Sequence, residues 1–85
     1  MKVIFSDTAL KTLRKMSKSV AKQIIDYVED ISFLENPYSR GRALVGNQQG
    51  LWRYRCGDYR IICKINDKEL CIIVLKIGHR SNVYK

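Results

Sequence analysis

LWRYRCGDYRIICKI, residues 51–65, decides the fold. Apolar and aromatic residues alternate with cations on both sides of Gly57-Asp58, a dipeptide suited to a two-residue hairpin loop. With that loop Cys56 faces Tyr59, Arg55 faces Arg60, Tyr54 faces Ile61 and Arg53 faces Ile62. Alternation sends Trp52, Tyr54, Ile61 and Cys63 to one surface, and Arg53, Arg55, Arg60 and Lys64 to the other. The first surface needs an apolar cover. The second sets two arginines opposite each other, at a cost of about 0.2 to 1 kcal/mol. Stability alone does not select that pair, whereas a docked polyanion turns the repulsion into attraction. A solvated face, eased by Asp58 in the turn and by splayed side chains, is the plain alternative.

The flanking sequence supplies the cover. Val3, Ile4 and Phe5 read as a first strand, and Ser6 or Asp7 as the cap of a helix with Ala9, Leu10, Leu13 and Met16 at helical spacing. Ser17 or Ser19 caps a second helix, in which Val20, Ile24, Tyr27, Val28, Ile31 and Leu34 keep the period until Pro37. Residues 38–50 hold three glycines and little periodicity, and read as a loop. LCIIVLKIG, after Asn66-Asp67-Lys68, is a further strand. The pattern predicts one domain over residues 1–85: a strand, an αα-hairpin laid on a sheet, then an antiparallel meander.

Of the 85 residues, 46% are hydrophobic and 28% charged, a globular composition. No run approaches the roughly 18 apolar residues that a membrane span needs. The opening MKVIFSDTAL turns polar too soon for a signal peptide, so a soluble, cytoplasmic protein without membrane association is expected. Cys56, Cys63 and Cys71 lack metal-ligand spacing and look like buried free thiols, with a Cys63–Cys71 disulfide as the minor alternative in a reducing compartment. Neither a metal nor any other cofactor is expected.

The net charge is +8, and the part from Tyr38 onward carries +7 of it, with six of the seven arginines. Guanidinium suits bidentate phosphate contacts, which points to a polyanionic partner. Excess charge that merely keeps a small protein soluble is the rival explanation. The C-terminal KIGHRSNVYK adds Lys76, His79, Arg80 and Tyr84 after the last strand, an aromatic among cations as expected where a nucleobase stacks. There is no P-loop, G-x-G-x-x-G or H-E-x-x-H. A metal-dependent nuclease would need clustered carboxylates, and the basic part holds three acids, Asp58, Asp67 and Glu69. RNA carries its own nucleophile in the 2′-hydroxyl, so arginines that position the phosphate and stabilise a pentavalent transition state are enough to cleave it.

The string W-R-Y-R-x-G-D-Y-R-I-I, then I-G-H-R-x-x-V-Y, after a helix pair and an A-L-x-G segment, resembles the RelE/ParE superfamily of toxin–antitoxin toxins, on the RelE branch, over nearly the whole chain. The resemblance implies an α+β fold, with an N-terminal strand and a helical hairpin packed on a twisted antiparallel sheet. It also implies a ribosome-dependent endoribonuclease that cuts mRNA in the A site without a metal, through 2′-hydroxyl attack that leaves a cyclic phosphate. Carried over by motif, Arg60 stabilises the transition state, Arg80 protonates the leaving group or contacts its phosphate, and Tyr84 stacks on or orients the substrate. Arg53 and Arg55 match two further basic positions, lysines in a well-known relative. One of those lysines has been suggested as a base, a role for which an arginine with pKa above about 12 is poorly suited. A basic position in the loop of relatives aligns with Val45, so that phosphate contact is either missing here or taken over by Arg40 or Arg42. Lys64, Lys76 and His79 complete the expected RNA-contacting set, with His79 also a candidate for proton transfer. The implied tight partner is an acidic, RelB-like antitoxin, beside the ribosome and mRNA. Two rivals remain: a ParE-like inhibitor of DNA gyrase, which shares the fold, and a non-catalytic basic RNA- or ribosome-binding module.

Overall fold

The computed structural model describes residues 1–79. Strand β1 (Lys2–Phe5) leads into α1 (Asp7–Lys15) and α2 (Lys18–Ser32). Two 3-10 turns, Pro37–Ser39 and Gly46–Gln48, flank a two-residue strand β2 (Arg42–Ala43). Strands β3 (Trp52–Cys56), β4 (Tyr59–Asn66) and β5 (Cys71–His79) follow. The sheet runs in the order β1-β5-β4-β3-β2. All neighbours are antiparallel except β1 and β5, which pair in parallel, so the sheet is mixed rather than wholly antiparallel. Among the described residues no helix is long and apolar enough to cross a membrane.

The helices start where side chains satisfy their orphan amides. Ser6 Oγ accepts from Ala9 N at 3.1 Å and Ser17 Oγ from Val20 N at 3.3 Å, which settles Ser6 and Ser17 as the caps. Helix α2 stops at Ser32, short of the expected Pro37. The Ser32 hydroxyl bonds back to Glu29 O, and the Met1 nitrogen donates to Ser32 O at 2.7 Å. One tertiary partner, the N-terminal amine, thus takes up the last helical carbonyl before proline is reached. Ala9 and Leu13 of α1 and Ile24, Val28 and Ile31 of α2 pack on Tyr54, Cys56, Ile61, Cys63, Ile72, Val74 and Ile77 of the sheet.

The hairpin forms in the expected register, with Arg55 opposite Arg60 and Arg53 opposite Ile62. Gly57 takes φ +59 at the first central position of the turn, where a side chain would be strained. Strand β5 departs from regular alternation. Its pairing with β4 shifts between Ile62 and Cys63, so Leu75 is an extra residue between Val74, opposite Cys63, and Lys76, opposite Ile62. Ser6 ties this bulge to the start of α1, its amide donating to Val74 O at 2.9 Å and its hydroxyl to Leu75 O at 2.8 Å.

Candidate functional site

The sheet has one face under the helices and one face open. Period-2 alternation and the observed register bring Arg42, Arg53, Arg55, Arg60, Lys64 and Lys76 to the open face. They fall in rows across the strands. Arg42, Arg53, Ile62 and Lys76 lie side by side on β2, β3, β4 and β5, and Arg55, Arg60 and Gly78 form the next row. Gly78, opposite Arg60, adds no side chain of its own to this row. No aspartate or glutamate occurs in any of the five strands.

Ile62 shows how the cations are rooted. It is only 4% exposed, although it points away from the helices and lies outside the main core cluster. Its cross-strand neighbours are Arg53 and Lys76, whose aliphatic stems can cover it while their charged ends reach water. The Nε of Arg60 is likewise buried, and the residue as a whole is half-exposed. A guanidinium held at its base presents its terminal N–H groups with little reorganisation, the condition under which fixed donors best stabilise developing charge.

At the outer edge of the sheet, Tyr27, Gly41, Arg42, Arg53 and Arg55 line a cleft of about 330 Å3. Segment 37–43 is anchored along this edge. Tyr54 Oη donates to Pro37 O at 2.6 Å, Trp52 Nε1 donates to Arg40 O at 2.7 Å, and Tyr38 Oη donates to Asp67 Oδ2 at 2.9 Å. Gly41 closes the anchor, with φ +80 and a position where a Cβ would come within 2.3 Å of Arg53 O and 2.6 Å of Trp52 Nε1. Only glycine fits there. Burial pushes the Tyr54 phenol far above its ordinary range, so it stays a hydrogen-bond donor. Burial also raises Tyr27, partly offset by the charge of the Arg40 guanidinium.

Proteins of known class share both the sequence pattern and this architecture. The model of the family described as the ParE toxin of type II toxin–antitoxin systems matches residues 3–84. The chain belongs to this toxin family. Toxin RelG of Mycobacterium tuberculosis is 26% identical over 84 residues, covering 98% of this chain and 94% of the relative. Toxin RelE of the same organism is 29% identical over 83 residues, covering 98% and 84%. The toxin–antitoxin complex RelBE2 of M. tuberculosis contains a chain that superposes with TM-score 0.83 at 26% identity, over 93% of this chain and 96% of that one. Isolated RelE of E. coli shares the fold, with TM-score 0.72 at 22% identity, over 98% and 89%. The protein is a RelE-like toxin of a type II toxin–antitoxin system.

The toxin groups most, but not all, of the residues singled out from sequence. Arg53, Arg55, Arg60, Lys64 and Lys76 share the open face, and β2 adds Arg42 at its edge. Arg40 sits off that face, beside Tyr27. His79 corrects the expectation that it accompanies the arginines. It pairs with Tyr59, which packs against the helix-side core, and the two rings meet edge to face at 5.8 Å. It therefore stands on the opposite side of the sheet from Arg60. Arg80 and Tyr84 lie outside the described residues. The three cysteines are buried free thiols. Cys63 faces the helices and Cys71 the other way, which rules out the alternative disulfide, and burial pushes the Cys63 thiol up to about 12. Tyr27 is legible in the sequence only as part of the apolar helix period; its second role, as a wall of the cleft, has no local signal.

Proposed function

We propose that this toxin is an mRNA endonuclease that cuts in the ribosomal A site by metal-free attack of the 2′-hydroxyl on the adjacent phosphate. The observation that carries this reading is the Arg55–Arg60 pair on the open face, flanked by Arg42, Arg53, Lys64 and Lys76. The 2′-oxygen bonds to phosphorus, its proton leaves, and the bond to the 5′-oxygen breaks as that oxygen takes up a proton. The products are a 2′,3′-cyclic phosphate and a 5′-hydroxyl. Charge builds on the non-bridging oxygens, and Arg60, rooted by its buried Nε, supplies the donors that meet it. Arg55 and Arg53 hold the flanking phosphates. Neither acts as base, because guanidinium stays protonated. Arg80 and Tyr84 keep the roles that their motif implies, at the leaving group and on the substrate base.

Further support comes from the relatives named as RelE and RelG toxins. Several structural neighbours are RelE–RelB complexes, which supports a RelB-like antitoxin as partner, and an acidic one complements the basic face. The family's ParE description favours one second reading, inhibition of DNA gyrase by binding. One experiment separates the two. The purified chain and its Arg60→Ala variant are incubated with programmed ribosomes in magnesium without other divalent metals, and the RNA ends are mapped. Cuts within the A-site codon that vanish in the variant are expected. Intact mRNA on verified, translating ribosomes would move the assignment to gyrase.

A further inference from the structure

The cleavage chemistry above uses Arg53 and Arg55 from the open face but gives no task to Tyr27, which faces them across the edge cleft. β2 covers β3 only at Trp52 and Arg53, so the rest of β3 looks across the cleft to Tyr27 of α2. Three of the five lining residues are arginines, and Tyr27 brings a polar group that is not a cation. Tyr27 lines the cleft, and its hydroxyl can both donate to and accept from a ligand there. A volume of about 330 Å3 sits at the small end of ligand sites, roughly 300 to 1,000 Å3, and suits one nucleotide unit better than a helix or strand. Arg55 lines the cleft and also faces Arg60, so a chain with a phosphate over Arg60 is led directly into it.

We propose that this cleft is a subsite for the nucleotide next to the one cut in a single-stranded RNA, with Arg42 and Arg53 neutralising its phosphate and the Tyr27 hydroxyl donating to it. The proposal rests on the RNA reading above and extends it to a residue on the helix layer. An acidic peptide would also find cations here. A polynucleotide fits better because its charges repeat along the backbone, matching the line from Arg60 through Arg55 to the cleft.

The test is binding of a 2′-fluoro RNA hexamer, which lacks the nucleophile, by fluorescence anisotropy over a salt series. Arg42→Ala should flatten the slope of log affinity against log salt by about 0.7, as expected when one fewer phosphate of a single strand is neutralised. Tyr27→Phe should weaken binding about 3- to 10-fold with the slope unchanged, as for one hydrogen bond. Lys15→Ala, on the outer side of α1, should change neither. Arg42→Gln repeats the test if Arg42→Ala loses the folded signal in circular dichroism. Wild-type affinity and slope in both cleft variants would overturn the proposal. So would the absence of hexamer binding, or a poly-glutamate peptide that competes with the same dependence on Arg42 and Tyr27. Cleavage on ribosomes is read separately: a chain that shows the cleft effects yet never cuts sinks the endonuclease assignment and leaves the cleft as a nucleotide site of an RNA-binding protein.

Discussion

The two faces of the sheet are built from the same strands by the same alternation, yet they answer to different demands. On the helix side Tyr54, Ile61, Cys63, Ile72 and Val74 are fully buried or nearly so, and each is held by neighbours of like polarity. On the open side Arg55 stands opposite Arg60 and Arg42 opposite Arg53, pairs that weaken the sheet by about 0.2 to 1 kcal/mol each. One face is selected by packing and the other against it. Like charges kept in register at a cost to stability mark where a ligand of opposite charge completes the structure.

That contrast is open to direct attack. Ile61→Ala should remove about 2 to 5 kcal/mol of stability in urea unfolding, since it empties a fully buried site; an unchanged midpoint would mean that the helix-covered face is not the core. Its immediate neighbour should behave in the opposite way. Arg60→Ala is expected to lower A-site cleavage about 10²- to 10³-fold while shifting stability by less than about 1 kcal/mol. A variant that unfolds, or one that cuts at the wild-type rate, would break the division of labour between the faces.

The thiol of Cys63 sharpens the comparison through pH. Its pKa is raised from 9.0 to about 12 by burial in the folded chain, so the folded state keeps a proton that the unfolded state sheds. Its contribution is fully present below about pH 9 and is lost as pH climbs toward 12. Stability should therefore fall through that window by up to about 1.4 kcal/mol per pH unit. Cys63→Ser should flatten the slope, and an equally steep loss in the variant would point to the buried Tyr54 phenol, which is raised in the same direction. The smallest effect is the most telling for the open face. Arg55→Thr should raise stability by about 0.2 to 1 kcal/mol while weakening RNA binding. A stability loss would show that Arg55 is held by packing rather than kept for a ligand.

Much of the fold is legible in the sequence because its signals are local. The hairpin follows from Gly57-Asp58 and from side chains that alternate on both sides of it. Both helices follow from their serine caps and apolar spacing. The end of α2 departs from the proline signal because bonds of Ser32 with Glu29 and Met1, not Pro37, close it. β2 is invisible in the sequence because two residues carry no period, and Arg42 joins the sheet only through its pairing with Arg53. His79 defies the expectation because chain proximity to the arginines says nothing of which face a strand residue takes.

The sequence by itself determined which residues of β3 and β4 share a face, and hence that Arg53, Arg55, Arg60 and Lys64 stand together, because pleating has a period of two and a two-residue turn sets the register. It did not determine the face of Lys76. Strict alternation in CIIVLKIG would place that lysine beside Ile72 and Val74 in the core. The bulge at Leu75, bonded to Ser6 far back in the chain, turns it out beside Ile62. The cleft has the same origin, joining α2, β2 and β3 through bonds between residues distant in sequence. Such bonds form only when the chain has closed on itself, so only the tertiary structure decided them.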